Sequence, residues 1–320
     1  MCAPKSLLVV KTSSLGDLVH TFPAISDLAS HFPGLHVDWI VEEAFSELPS
    51  LHPAIRHVIP VAIRRWRKKL WSTSTQREVS FFLERLRSVE YDAVLDFQGL
   101  LKSAFITRLG RGFRFGFDWA SAREPLASLF YQKHCSVALN QHAVVRTRLL
   151  ASCVFGYDLV GEPNFGLSTS EGGKKSRDVI FIHATSRTSK HWPETHWIDL
   201  GQVLAKQGWH FVLPWGNEIE QQRAQRLARH IPNACCLLRR LYLTEVAGVL
   251  ASARGIIGVD TGLTHLAVAL GRPVVSIYLD TDPALTGVWQ TRNTINVGSS
   301  GTVPTVEMVL SGFRKTNALF

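Results

Sequence analysis

The stretch KTSSLGD, Lys11 to Asp17, stands directly behind the apolar run LLVV of residues 7 to 10. In α/β proteins a nucleotide-binding strand is ordinarily followed by a glycine-rich turn whose backbone amides take phosphate. This turn has one glycine, Gly16, and then a carboxylate, Asp17, which would repel a phosphate. Anion binding must be sought elsewhere, and from these residues alone the duty of Asp17 stays open.

A stronger anion site lies in GVDTGLTH, residues 258 to 265, where a strand ends at Asp260 and the amides of Thr261, Gly262 and Leu263 begin a helix. Amides without an intrahelical partner, together with roughly half a positive charge from the helix dipole, suit a diphosphate. Asp260 or Thr261 as a plain N-cap accounts for the same residues equally well. HATSRTSKHW, residues 183 to 192, puts Thr185, Ser186, Arg187 and Lys190 in one loop before a helix. Hydroxyls and an ammonium can neutralise a departing diphosphate; a solvated polar loop is the competing reading. IRRWRKKLW, residues 63 to 71, gathers Arg64, Arg65, Arg67, Lys68 and Lys69 around Trp66. Such a run fits a polyanion, either nucleic acid or phosphorylated lipid headgroups. DTDP carries two carboxylates, Asp280 and Asp282, in a spacing that could hold Mg²⁺ or Mn²⁺, but Pro283 favours an ordinary turn. Neither GxGxxG nor GxxxxGK[ST] follows any strand, which argues against a dehydrogenase and a P-loop enzyme. GxSxG and HExxH are missing too.

These residues need a scaffold. A chain of 320 residues sets a default of two domains of roughly 150 residues each. With 46% hydrophobic and 19% charged residues it has the composition of a globular protein. Apolar runs of strand length recur at 7–10, 37–41, 93–97, 179–182, 211–214, 255–259 and 273–279. Segments of helical spacing lie between them, the alternation expected of parallel sheets covered by helices. The clearest helix follows KHWPETHW, with Pro193 at its first position, Trp197, Leu200, Val203 and Leu204 on one stripe, and Gly208 at its end. Residues 158–178, rich in Gly, Ser and charge, read as a linker. The expectation is two Rossmann-like domains, 1–160 and 161–320, facing across a cleft, with the C-terminal helix packing back on the N-terminal domain. The net charge of +9 favours an anionic partner. Five cysteines without CxxC spacing suggest neither a disulfide framework nor a zinc site, and fit a reducing cytosol. No apolar stretch approaches the ~20 residues of a spanning helix, so any membrane contact is expected to be peripheral.

KTSSLGD, RRWRK, AREPLASLFY (122–131), KHWPETHW, LPWG and VDTGLTH, in order between Leu7 and about Gly287, closely resemble blocks of the heptosyltransferases of glycosyltransferase family 9, which have the GT-B fold. The resemblance implies an inverting, metal-independent transfer, without cofactor, of L-glycero-D-manno-heptose from ADP-heptose to a Kdo sugar of Kdo2-lipid A, at the cytoplasmic face of the inner membrane. By the same resemblance Asp17 falls on the proposed general base and Lys190 on the lysine that contacts the donor phosphates. Thr185, Ser186, Asp260, Thr261, Gly262 and His265 fall at the donor site, and Glu220 on an acidic residue for the ribose hydroxyls. Ser13, Arg64, Arg65, Arg67, Lys68 and Arg123 would meet the acceptor. Asp280 departs from the family's residue before Thr-Asp-Pro, which makes the Asp-x-Asp pattern accidental. Three readings compete: a family member that extends a heptose acceptor, a nucleic-acid-binding protein, and a hydrolase or epimerase of sugar nucleotides. The resemblance implies neither a nucleic-acid nor a protein partner.

Overall fold

The computed structural model describes residues 3–69, 71–169 and 176–317. The chain forms two compact units, Met1–Leu167 and Ser168–Phe320; residues 170–175 of the expected linker lie outside the described residues. In the first unit β1 (Ser6–Val10), β2 (His36–Glu42), β3 (Ile55–Val61), β4 (Glu90–Asp96), β5 (Arg111–Phe117) and β6 (Lys133–Cys135) form one sheet in the order β3-β2-β1-β4-β5-β6. In the second, β7 (Asp178–Ile182), β8 (His210–Leu213), β9 (Ala234–Cys236), β10 (Gly255–Val259), β11 (Val274–Tyr278) and β12 (Thr294–Gly298) lie in the order β12-β11-β10-β7-β8-β9. Every strand pairing is parallel. Numbered within its own unit, each sheet has the order 3-2-1-4-5-6, the Rossmann arrangement. The α/β fold with two Rossmann-like units is therefore the one expected.

The central strands explain why. LLVV in β1 and GIIGV in β10 are fully buried, as strands covered by helices on both faces must be. All seven expected runs fall on strands, and the five others lie at or next to sheet edges. β3 carries Pro60, which an edge strand tolerates and a central one does not. β6 and β9 have only three residues each, too few for a periodicity. β5, RGFRFGF, mixes glycine and arginine into its apolar positions. Gly116 there is a packing requirement, since a Cβ would run into the Tyr131 ring.

The helix after KHWPETHW runs from Glu194 to Ala205, with Pro193 just ahead of it as N-cap, and buries Trp197, Leu200 and Leu204; Val203 is only half-buried. Trp192, Trp197, Phe181 and Phe211 form the aromatic centre of the C-terminal core. The helix Val306–Asn317, expected to reach back to the N-terminal domain, places Val309 and Phe313 in the core of its own unit. One expectation is overturned: Cys135 of β6 and Cys153 of the helix Ala143–Phe155 form a disulfide with Cα atoms 6.1 Å apart. Its partners lie 18 residues apart and are brought together by the packing of that helix on β6, which no local spacing reveals.

Tyr131 packed over Gly116 anchors a hydrogen bond to buried Asp96 (below). Gly116→Ala is accordingly expected to destabilise the protein by roughly 1–3 kcal/mol, the usual cost of overpacking. Urea unfolding checks this, and an unchanged midpoint would contradict it.

Candidate functional site

In a 3-2-1-4-5-6 sheet the connections leave the first and fourth strands in opposite directions, opening a crevice at their carboxyl ends. In the N-terminal unit these strands are β1 and β4, with Val10 opposite Asp96. KTSSLGD leaves β1 at that point and Phe97-Gln98-Gly99 leaves β4. The two loops are tied together: Thr12 and Ser13 amides both donate to Gln98 Oε1 at 3.2 Å, and buried Lys11 Nζ donates to the Phe97 carbonyl at 2.9 Å. Trp39 Nε1 donates to the Lys11 carbonyl at 3.0 Å. Asp96 supports the second loop, accepting from the Gln98 and Gly99 amides and from Tyr131 Oη at 2.7 Å. Burial pushes the Asp96 carboxyl up.

Asp17 sits in the first turn of the helix Leu15–Val19, where Ser14 and Asp17 form a capping box. Its Oδ2 accepts from the Ser14 amide at 3.0 Å, and its Oδ1 accepts from Arg123 Nη2 at 2.9 Å. The side chain is 18% exposed. Burial alone would raise its pKa, but the charges of Lys11 and Arg123 and the Ser14 amide outweigh it and hold the carboxyl well below the usual range. Burial lowers Lys11 to about 8. Asp17, Lys11, His20, Gln98, Arg123 and Arg146 line a pocket of about 30 Å³, room for a water or one small polar group. Arg146 is fixed there by a 2.6 Å bond from Nη2 to the Ser121 carbonyl and by its stacking over Phe117. The pocket thus sets three cationic side chains against one carboxylate, a balance that favours a further anionic group.

The C-terminal unit repeats the logic at β7 and β10, which are paired neighbours. The loop after β7 ends in a turn, Thr188–Lys190, that delivers Lys190 Nζ to Asp260 Oδ2 at 2.5 Å. Thr281, after β11, donates to the same oxygen, and His265 Nε2 lies 3.6 Å from the other. Burial opposes ionisation of Asp260, but His265, Lys190 and Thr281 hold its pKa low. Thr261 is the N-cap residue of the helix Gly262–Ala269, and its side chain makes no capping bond, so the first amides stay open to an anion. Thr185 is placed by His191, whose Nε2 is 2.9 Å from its carbonyl.

The remaining expected residues are spread more widely. Glu220, half-buried, folds back on its own helix start, accepting from the Gly216 amide at 2.7 Å and from Asn217 at 2.8 Å. Asp282 caps the short helix Pro283–Thr286, and Asp280 accepts from Ser189 at 2.7 Å, so DTDP is used as a turn. Ser186 is exposed beside Thr185. In the basic run Arg65 is engaged with Glu43 and Glu78, and Arg64 lies over Phe45. Arg67 and Lys68 are exposed. Lys102 Nζ reaches Ser13 Oγ at 3.4 Å. Gln98 and Arg146 have neighbours in the site that are distant in sequence, and no motif marks them; Thr281 stands in DTDP, where the carboxylates drew the reading away from its hydroxyl.

Residues 79–311 match glycosyltransferase family 9 (heptosyltransferase). The chain is 47% identical over 300 residues to lipopolysaccharide heptosyltransferase 1 of Pseudomonas aeruginosa, covering 92% of this chain and 83% of that protein. Among solved structures, E. coli heptosyltransferase WaaC with ADP superposes with a TM-score of 0.89 at 42% identity, over 98% of this chain and 97% of that one. The same enzyme with ADP-2-deoxy-2-fluoro heptose gives 0.87 at 42% identity, over 96% and 98%. Two Rossmann-type units with polar sites at both switch points, and a family match over most of the length, lead to one assignment: the chain belongs to glycosyltransferase family 9, the heptosyltransferase family.

Proposed function

We propose that the protein transfers L-glycero-D-manno-heptose from ADP-heptose to a Kdo residue of Kdo2-lipid A, with inversion, in building the inner core of lipopolysaccharide. The observation that carries this reading is the division of labour between the two switch points. One presents a carboxylate among cations where a phosphate turn is usual, and the other presents a lysine at a helix start. The similar enzymes described above support it: one is a lipopolysaccharide heptosyltransferase, and the solved structures are of a heptosyltransferase with ADP and with ADP-2-deoxy-2-fluoro heptose.

In this reading Asp17 is the base. As the acceptor oxygen bonds to the anomeric carbon of the heptose, its proton passes to a carboxylate oxygen of Asp17. The bond from that carbon to the donor phosphate breaks, and its electron pair leaves with ADP. Lys190, the open amides from Gly262, and the hydroxyls of Thr185 and Ser186 take up the charge on the diphosphate, with Asp260 and His265 holding Lys190 and the turn in place. Glu220 exchanges the Gly216 amide and the Asn217 side chain for ribose hydroxyls. Ser13, Arg64, Arg67 and Lys68 meet the acidic acceptor.

Arg123 has a particular part. Beside Lys11 and paired with Arg123, Asp17 is ionised but a weak base. The carboxylate of a Kdo sugar competes for the guanidinium, and loss of an opposite charge raises a carboxyl pKa by about 1–3 units. Acceptor binding thereby strengthens the base at the moment it is needed. Because the acceptor is lipid-linked, the protein works at the cytoplasmic face of the inner membrane as a peripheral protein; among the described residues no helix is long and apolar enough to cross a membrane.

The test mixes purified protein with ADP-heptose and deacylated Kdo2-lipid A and follows ADP release. Release that depends on acceptor is expected; equal release without acceptor would identify a hydrolase instead. Lys190→Ala should lose about 10² to 10³ in turnover, the typical cost of removing one electrostatic donor, while keeping its thermal midpoint. Turnover at the wild-type rate would remove Lys190 from the mechanism. Asp17→Ala should lose nearly all turnover yet still bind donor in calorimetry, and an active variant would exclude Asp17 as the base.

A further inference from the structure

The segment that delivers Arg123 to Asp17 continues into the 3-10 helix Pro125–Phe130, PLASLF. Its Ala127 and Ser128 are buried, but Leu126 and Leu129 are 50% and 71% exposed. Beside it runs the helix Leu101–Leu109, which exposes Leu101 (39%), Phe105 (56%) and Arg108 along one face, the stripe expected for positions i, i+4 and i+7. The two elements are joined as one surface. The Leu101 amide donates to Glu124 Oε2 at 2.6 Å, the Glu124 amide donates to the Gly99 carbonyl at 3.0 Å, and Ala104 packs with Ala127 and Tyr131 beneath. Core packing accounts for the buried half of PLASLF and leaves the two leucines unexplained.

The charges around these side chains are positive apart from Glu124. Arg108 stands on the helix, and Arg114 Nε is fixed to the Phe130 carbonyl at 3.1 Å, near enough to Arg108 to feel its charge. Among the described residues neither is within ion-pair distance of a carboxylate, while Lys102 on the same helix turns its Nζ to Ser13. The carboxylate of Glu124 is turned back to the Leu101 amide. Exposed leucines and a phenylalanine rimmed by arginines match the boundary of an anionic bilayer, where apolar side chains enter the acyl region and cations meet headgroups.

We propose that the surface formed by Leu101, Phe105, Leu126 and Leu129, with Arg108 and Arg114 at its rim, docks the N-terminal unit on an anionic lipid bilayer. The assignment rests on the lipid-linked acceptor proposed above. It gives that reading a geometry: Arg123 at the base is three residues from Leu126 and six from Leu129, so one short segment links the bilayer surface to the sugar being modified. The partner is the lipid surface itself rather than a protein.

The experiment is sedimentation with vesicles of phosphatidylethanolamine and phosphatidylglycerol, against phosphatidylcholine vesicles, for wild type, a Leu126→Ser/Leu129→Ser double variant and Leu129→Trp. Wild type should partition to the anionic vesicles, the double variant about tenfold less, and Leu129→Trp at least as strongly as wild type, because tryptophan suits the interface. The double variant should keep its unfolding midpoint and its turnover on deacylated acceptor, while losing turnover on Kdo2-lipid A in vesicles. Wild-type partitioning by the double variant, or weaker partitioning by Leu129→Trp, would overturn the docking surface. Equal partitioning of wild type to phosphatidylcholine would overturn the role of the cationic rim. Failure of wild type to act on the deacylated acceptor would strike the proposed reaction instead and leave the vesicle result standing.

Discussion

Everything at the two polar sites depends on which strands are neighbours. Pairing of β1 with β4, and of β7 with β10, is the point in each sheet where chain connections diverge, and the crevice left there is where side chains can gather without blocking a helix. Lys11 reaches Phe97, and Gln98 reaches Thr12 and Ser13, across that divide in one unit. In the other, Lys190 reaches Asp260. The same backbone constraint thus yields two opposite electrostatic results, decided by what each loop carries. A turn with an aspartate collects cations around a carboxylate. A turn with a glycine at a helix start leaves open amides beside a lysine.

Much of this was legible in the sequence because the central strands of a parallel sheet are buried on both sides and read as unbroken apolar runs. LLVV, AVLDF, VIFI and GIIGV declare themselves, and so do the polar turns behind them, since Asp17, Lys190 and Asp260 follow their strands within a few residues. Edge strands are half-wetted, and β3, with Pro60, or β9, with only three residues, lacks a pattern that a window can detect. The side chains that complete the sites were hidden for another reason. Gln98, Arg146 and Thr281 act on residues 20 to more than 100 positions away, and the Cys135–Cys153 disulfide depends on a helix packing over an edge strand. The resemblance of AREPLASLFY to a family block marked Arg123, yet it could not say that the guanidinium rests on Asp17, or that Tyr131 from the same block secures Asp96.

The ion pair between Arg123 and Asp17 sets the character of the proposed chemistry. A carboxylate among Lys11, Arg123 and the Ser14 amide stays ionised through the physiological range but holds a proton poorly. Efficient base catalysis needs a higher proton affinity in the complex. An acceptor bearing its own carboxylate can supply it by drawing Arg123 away, which makes the acceptor a participant in preparing the base. The arrangement also disfavours premature reaction with water, because water has no charge with which to take Arg123.

The most direct measurement compares the pH dependence of kcat/KM for the acceptor, which reports the free enzyme, with that of kcat, which reports the complex. A carboxyl pKa depressed by Lys11 and Arg123 in the free enzyme, and released from Arg123 in the complex, moves the acidic limb upward on binding. The account predicts that the acidic limb of kcat lies about one to three pH units above that of kcat/KM. Coincident limbs, or a limb of kcat/KM at the higher pH, would contradict it.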